Sequence, residues 1–239
     1  MSAAKLRTEF IDLGDLHMAY HQTGSGRVLL LLHGNSGSKH NFKDYQLKHF
    51  PMFQTIALDS RGHGQSQSLD EQLTYLQLSQ DVIHFCQTRG IQQADVIGYS
   101  DGGNIAILLA HQAPQMFPRL VSISPNYLVS GTTESSLRLM ARIVKLLTFF
   151  GNIGFNVKKQ LLRFDLMLHD IGISEEELQS IQSEVKILYA EDDMIKEAHI
   201  QRLAKLIPHA SLHKVKGCNH LTILNNPEAV RIIKSYLPG

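Results

Sequence analysis

Gly98-Tyr99-Ser100-Asp101-Gly102-Gly103 is the stretch that decides the fold. Before it lies Ala94–Gly98, which reads as a strand; after it Ser100–Ala113 has helical spacing and is closed by Pro114. A serine forced into so tight a strand-to-helix turn needs small neighbours, and Gly98 and Gly102 supply that space. The turn lifts the hydroxyl above the sheet, and the helix start offers amide N–H groups to a developing negative charge. This is the G-x-S-x-G nucleophile elbow, whose required context is a strand before and a helix after. Glycine and serine are common at helix starts, so the rest of the chain must carry the reading further.

Outward from the elbow the chain alternates. Thr8–Leu13 and Leu16–Gln22 flank the turn pair Gly14-Asp15 and predict an antiparallel hairpin. Val28–Leu32 is a continuous apolar run ended by His33-Gly34, and Phe53–Leu58 is another ended by Asp59. Runs without polar alternation belong to strands buried on both faces, the habit of parallel sheets covered by helices. Thr74 opens a helix that stops at Gly90. Strands are expected at Leu120–Ser124, Val185–Ala190 and Leu212–Val215, and helices through Ile200–Ile207 and from Pro227 to Tyr236. The prediction is an α/β protein: a mostly parallel sheet with helices on both faces, built from residues 1–124 and 184–239.

Residues 125–183 break the rhythm. They hold only helical patterns (Leu137–Phe150, Val157–His169, Glu175–Ile181), separated by Gly151, Gly154 and Gly172. Ligands of such sheets bind beyond the carboxyl ends of the strands, so a helical insertion there is expected to act as a lid. Leu139, Met140, Ile143, Leu146 and Leu147, with Phe149, Phe150 and Phe155, are then expected to contribute to an apolar pocket above Ser100; the alternative is that they pack on the sheet domain.

An elbow serine needs a base, then an acid to orient that base. These partners should follow in the order acid, histidine, each after a later strand. Glu191-Asp192-Asp193 follows the strand ending at Ala190, and His220 follows the strand ending near Val215. Imidazole ionises near neutrality and so can take a hydroxyl proton there, while the acid fixes its tautomer. Asp193 is the expected acid, one of three neighbouring carboxylates, with a register error of one residue left open. The loop after the first buried strand, His33-Gly34-Asn35-Ser36-Gly37-Ser38, should supply one oxyanion N–H from Asn35, and the residue after the nucleophile, Asp101, the other. His33 is expected to brace its loop.

With these residues in place, the chain resembles the α/β-hydrolase fold superfamily along nearly its whole length, in the branch of esterases, lactonases and carbon–carbon bond hydrolases. The resemblance rests on His33-Gly34, the run from Asp59 to Ser66 (Asp-Ser-Arg-Gly-His-Gly-Gln-Ser), Gly98–Gly103, the acid loop Ala190–Ile195, and Gly217–His220. It implies Asp193 as the acid, three residues after the small Ala190, and a structural role for the Asp59–Ser66 loop. Dehalogenases and epoxide hydrolases of this fold carry aspartate at the nucleophile position, where this chain has Ser100. Family elbows often place an apolar or amide residue after the serine. Asp101 departs from that, either to complement the helix dipole or to put a carboxylate near the substrate.

Composition narrows the class. A formal net charge of +1 with scattered charges gives no electrostatic footprint for nucleic acid. Two cysteines, Cys86 and Cys218, cannot form a disulfide framework and suggest a reducing compartment, so cytoplasm is expected. Leu137–Phe150 is broken by Arg138, Arg142 and Lys145, so no membrane span is expected. No metal or cofactor is expected, because the carboxylates of 191–193 lack an accompanying histidine or ordered ligand spacing. The partner expected is a small-molecule ester, with neither nucleic acid nor membrane. A lactone or a carbon–carbon bond could be cleaved by the same three residues, and a small-molecule receptor could retain them without turnover.

Overall fold

The computed structural model describes residues 6–68 and 72–237. Its strands are β1 (Thr8–Asp12), β2 (Leu16–Thr23), β3 (Arg27–Leu32), β4 (Phe53–Leu58), β5 (Gln67–Ser68), β6 (Asp95–Tyr99), β7 (Arg119–Ile123), β8 (Glu184–Asp192) and β9 (Ala210–Asn219). Its α-helices are α1 (Tyr75–Thr88), α2 (Asp101–Gln112), α3 (Glu134–Asn152), α4 (Lys158–Leu166), α5 (Glu175–Gln179), α6 (Glu197–Leu206) and α7 (Pro227–Tyr236). The strands form one sheet in the order β1-β2-β4-β3-β6-β7-β8-β9, with the short β5 paired to β2. From β4 to β9 every neighbouring pair is parallel, and the hairpin β1–β2 supplies the antiparallel edge. The sheet is thus mostly parallel, as the apolar runs predict.

Period-two alternation explains why those runs are continuous. Leu30 and Leu32 enter a core with Val82 and Phe85 of α1, Ile105 and Leu109 of α2 and Ile200 of α6. Leu29 and Leu31 point the other way, into a core with Phe42, Tyr45, Phe50 and Ile233 of α7. Each strand face is buried, so each position must be apolar.

Three local features differ from the sequence reading. Strand β9 was expected to stop near Val215 but runs on to Asn219. The register shifts between its Val215 and Asn219 pairings, and Gly217 takes a left-handed φ of 63° within that irregularity. A bulge of this kind lets a strand continue past a glycine that interrupts its pattern. Residues 39–50, which carry no periodic signal, form a 3₁₀ turn (Lys39–Phe42) and a π turn (Tyr45–His49). The two-residue β5 is too short to leave a pattern.

The Asp59–Ser66 loop is held by a dense set of hydrogen bonds. Asp59 is buried, accepting from the Lys39 ammonium at 2.6 Å, the Lys39 backbone N–H at 2.7 Å and the Gln65 N–H at 2.8 Å. Burial alone would raise its pKa; those donors outweigh that and hold the carboxyl below its ordinary value. Arg61 forks onto Asp81 at 2.9 and 2.7 Å and also reaches Asp15 at 2.8 Å. Ser66 bridges strands, donating to the Asp59 carbonyl and accepting from the Ala19 N–H.

Candidate active site

Strand β6 delivers Ser100 at its carboxyl end. The residue sits at φ 55°, ψ −117°, outside the wells open to L-residues, and its N–H donates to the Ile123 carbonyl at 2.8 Å. Strain of this type costs about 1–3 kcal/mol and persists only where the surroundings over-determine it. Here they do: a Cβ on Gly98 would strike the Gly102 carbonyl, and one on Gly102 would strike the carbonyl of Leu32. The two glycines read from sequence as space-makers are the points of closest backbone approach.

Ser100 Oγ lies 3.0 Å from His220 Nε2, and His220 Nδ1 lies 2.7 Å from Asp193 Oδ1. The three residues that the sequence singled out are therefore one hydrogen-bonded chain, assembled from the ends of β6, β8 and β9. An ionised carboxylate at Nδ1 requires the ring hydrogen there, which leaves the Nε2 lone pair facing the serine hydroxyl. Tyr99 fixes the histidine from below, its hydroxyl donating to the His220 carbonyl at 2.8 Å.

Of the three neighbouring carboxylates, Asp193 is the one that meets the imidazole. Glu191 accepts from the Gly217 N–H, and Asp192 is exposed on β8. Asp193 also receives the Ala190 N–H at 3.0 Å, the Ile195 N–H at 3.1 Å and the Ser124 hydroxyl at 2.6 Å. Burial pushes its pKa up, but the His220 pairing, with the Ser124 and Ala190 bonds, more than offsets this and holds the carboxyl below its ordinary value. Ser124 was missed by the sequence reading. It is fully buried, at φ 52°, just past β7, and the usable signal was its place: the carboxyl end of the strand between those bearing Ser100 and Asp193.

The loop after β3 lies against the elbow. A Cβ on Gly34 would stand 2.9 Å from the Ser100 Cβ. Asn35 in this loop donates through Nδ2 to Asp101 Oδ2 at 3.0 Å and to the Arg163 carbonyl of α4 at 2.7 Å, while its Oδ1 accepts from Ser36 Oγ. Asp101 is the first residue of α2, so its amide has no partner within the helix. Its carboxylate is engaged on both oxygens, by Asn35 and by the Tyr75 hydroxyl at 2.8 Å. Burial raises the Asp101 pKa, and the Asn35 and Tyr75 bonds counter it in part. The side chain thus ties the two segments expected to carry oxyanion amides. Its link to Tyr75, like the Asn35 side-chain bonds, has no sequence signal because it joins residues far apart in the chain.

His33 braces its loop as expected. Its Nε2 accepts from the Ser60 N–H at 3.1 Å, so the hydrogen is on Nδ1, which donates to the Gly34 carbonyl at 2.8 Å. Burial lowers its pKa and keeps the ring neutral.

The helical insertion meets this site through α4. Arg163 accepts from Asn35 and donates its Nε to the Gly62 carbonyl at 2.8 Å. A cavity of about 430 Å³ opens between the start of α1 and the end of α4, lined by Leu73, Tyr75, Leu166, His169 and Ile171 among others. Tyr75 belongs both to this cavity and to the Asp101 contact. Helix α3 departs from expectation: of its residues only Met140 is buried, and Leu139, Leu146 and Phe149 are more than half exposed, as is Phe155 beyond it. Those four do not line an enclosed pocket.

A family model described as alpha/beta hydrolase fold matches residues 27–164. The 2-hydroxymuconate semialdehyde hydrolase of Pseudomonas putida is 24% identical over 255 aligned positions, which cover 91% of this chain and 89% of that protein. The dihydrolipoyllysine-residue acetyltransferase component of the acetoin cleaving system of Cupriavidus necator is 31% identical over 164 positions, 64% of this chain; the match spans only 43% of that relative's length. Among solved structures, E-2-(acetamidomethylene)succinate hydrolase superposes with a TM-score of 0.81 at 18% identity, covering 98% of this chain and all of that one. That likeness shows the fold.

Proposed function

The chain belongs to the alpha/beta hydrolase fold family, and on that premise we propose that it is a serine hydrolase cleaving a small carboxylic ester through an acyl-enzyme on Ser100. The observation that carries the reading is the unbroken chain from Ser100 Oγ through His220 to Asp193, at 3.0 and 2.7 Å. His220 Nε2 takes the hydroxyl proton as Oγ attacks the ester carbonyl carbon, and Asp193 stabilises the imidazolium. The negative charge on the former carbonyl oxygen is met by the backbone N–H groups of Asn35 and Asp101. Collapse expels the alcohol, which receives the proton from His220. Water, deprotonated by the same ring, then attacks the acyl carbon and restores Ser100. Residues 125–183 serve as a lid, with α4 forming its active-site side and the cavity beside Tyr75 taking part of the substrate.

The relatives act, by their names, on unlike substrates, so ester specificity rests on the site alone. Mixing the protein with an aryl acetate should release a burst of phenol equal to the enzyme present, followed by slower steady turnover. A receptor that retained the three residues would release at most that single equivalent and then stop, which would overturn the enzymatic reading.

Ser124 enters as a positioning residue. Its hydroxyl is one of three donors aiming Asp193, and a hydrogen bond to a charged group contributes about 1.5–3 kcal/mol. Ser124→Ala is expected to lower kcat by roughly ten- to a hundredfold at unchanged KM. The double variant Ser124→Ala/Asp193→Asn should be hardly worse than Asp193→Asn, because both changes act on one unit. Full additivity would assign Ser124 to general stability instead.

A further inference from the structure

Large apolar side chains exposed one at a time are ordinary on a protein surface, but a cluster of them calls for a partner. Leu139, Leu146, Phe149, Ile153 and Phe155 are each between 55% and 59% exposed, and all lie within residues 139–155. Helix α3 packs against α4. At ~100° per residue, Leu139, Leu146 and Phe149 fall within about 80° of one another on the outward side. Arg142 lies inside that sector, with Arg138 and Lys145 at its border.

The exposure is built in and does not come from a loose turn. Gly154 turns the chain at φ 95°, and Phe150 makes edge-to-face contacts with Phe149 at 5.8 Å and with Phe155 at 5.4 Å. The α3–α4 hairpin therefore ends in an ordered aromatic tip, with Phe149 and Phe155 held outward by their own neighbour.

Charge identifies the occupant. Helix α3 and its tip, residues 134–155, hold Arg138, Arg142 and Lys145 and one carboxylate, a net charge of +2 in a chain whose total is +1. The one carboxylate, Glu134, is paired with Arg138 at 3.3 Å. A second copy would pair this face with itself and set Arg138, Arg142 and Lys145 against their own duplicates, which like-charge repulsion opposes. Interleaved apolar and cationic groups suit an anionic lipid surface. Phenylalanine and leucine enter the headgroup boundary, while arginine and lysine keep their charges at the phosphates. We propose that the outward face of α3 and the Ile153–Phe155 tip dock this protein peripherally on an anionic bilayer. No helix among the described residues is long and apolar enough to cross a membrane, and docking needs none. The sequence-based expectation of no membrane partner considered spans only, and the proposal replaces it. It does not rest on the hydrolase reading.

The test is co-sedimentation of the full chain with vesicles of phosphatidylcholine alone and of phosphatidylcholine mixed with phosphatidylglycerol. Binding is expected only to the phosphatidylglycerol-containing vesicles, and high salt should release it. Each cationic side chain removed should weaken partitioning roughly fivefold, so Arg138→Gln/Arg142→Gln/Lys145→Gln should lose roughly a hundredfold. Phe149→Ser/Phe155→Ser should lose binding with every charge retained. The three cationic positions are exposed, so the triple variant should keep the wild-type melting temperature. Phe149→Ser/Phe155→Ser also removes two ring contacts to Phe150 and should lower it slightly, with a cooperative melt showing that the variant is folded. Salt dependence of the unaltered protein tests the idea even if a variant misfolds. Equal binding to both vesicle types, binding to neither, or a triple variant that binds like wild type would overturn the proposal. So would a concentration-dependent dimer that Phe149→Ser/Phe155→Ser abolishes, which would assign the face to a second copy.

Discussion

Replacing Ser100 by alanine is expected to lower kcat by about a millionfold, the scale of loss when the serine of such a triad is removed. That corresponds to about 8 kcal/mol of transition-state stabilisation at about 1.36 kcal/mol per tenfold. The variant should fold normally, for two structural reasons. Alanine keeps the Cβ, so the backbone strain at φ 55°, ψ −117° is unchanged, and no packed atom is deleted from a core. The deleted oxygen's one recorded partner is His220 Nε2, a ring still held by Asp193 and by the Tyr99 contact to its carbonyl. Activity and stability should thus separate: a wild-type melting temperature with burst and steady state both lost. Steady ester turnover near the wild-type rate in purified Ser100→Ala would remove the serine mechanism altogether.

The elbow was legible because its cause is local. Gly98, Ser100 and Gly102 are close in sequence, and the steric requirement they satisfy acts over a single turn. The buried strands were legible for a similar reason: Leu29–Leu32 face two cores in alternation, and that burial leaves an uninterrupted apolar run. What the sequence did not disclose depends on which strand ends become neighbours. Ser124 meets Asp193 because β7 and β8 are parallel partners in the sheet, and nothing in the composition around Ser124 records that adjacency. Asn35, Asp101 and Tyr75 come from three separate segments and reveal their connection only once those segments pack. The insertion was half legible. Helical spacing in 137–150 correctly gave a helix, but spacing cannot say what an apolar stripe faces, and Leu139, Leu146, Phe149 and Phe155 of the residues assigned to a pocket stand more than half exposed. The exposed apolar face becomes informative only beside the charges that share it.

The acidic loop gives the second large effect. Asp193→Asn is expected to cost about 10⁴ in kcat, the loss that follows the same change in a serine triad, with geometry left intact. The reason lies in the hydrogens. The substituted amide would present either an oxygen or an NH₂ group to His220 Nδ1, and it must also satisfy the Ala190 and Ile195 N–H groups and the Ser124 hydroxyl. The two backbone N–H groups require acceptors, so an NH₂ turned towards either leaves a clash of donors, whereas the Ser124 hydroxyl can rotate to accept. Turned towards His220, the NH₂ forces the ring hydrogen onto Nε2, where it faces Ser100 and cannot accept the serine proton. Even with the oxygen towards His220, the imidazolium formed during attack would lose its neighbouring negative charge. Asp192→Asn changes an exposed side chain for which the structure records no bond to the histidine, so it should leave kcat within a fewfold of wild type. The low pKa of Asp193 means that ionised Asp193 stabilises the fold above its unfolded-state pKa, and that this contribution disappears as pH falls through the folded value. Asp193→Asn should therefore flatten the acid limb of the stability curve. A large kcat loss in Asp192→Asn with a mild one in Asp193→Asn would show that the acid acts from position 192, against the 2.7 Å contact seen here.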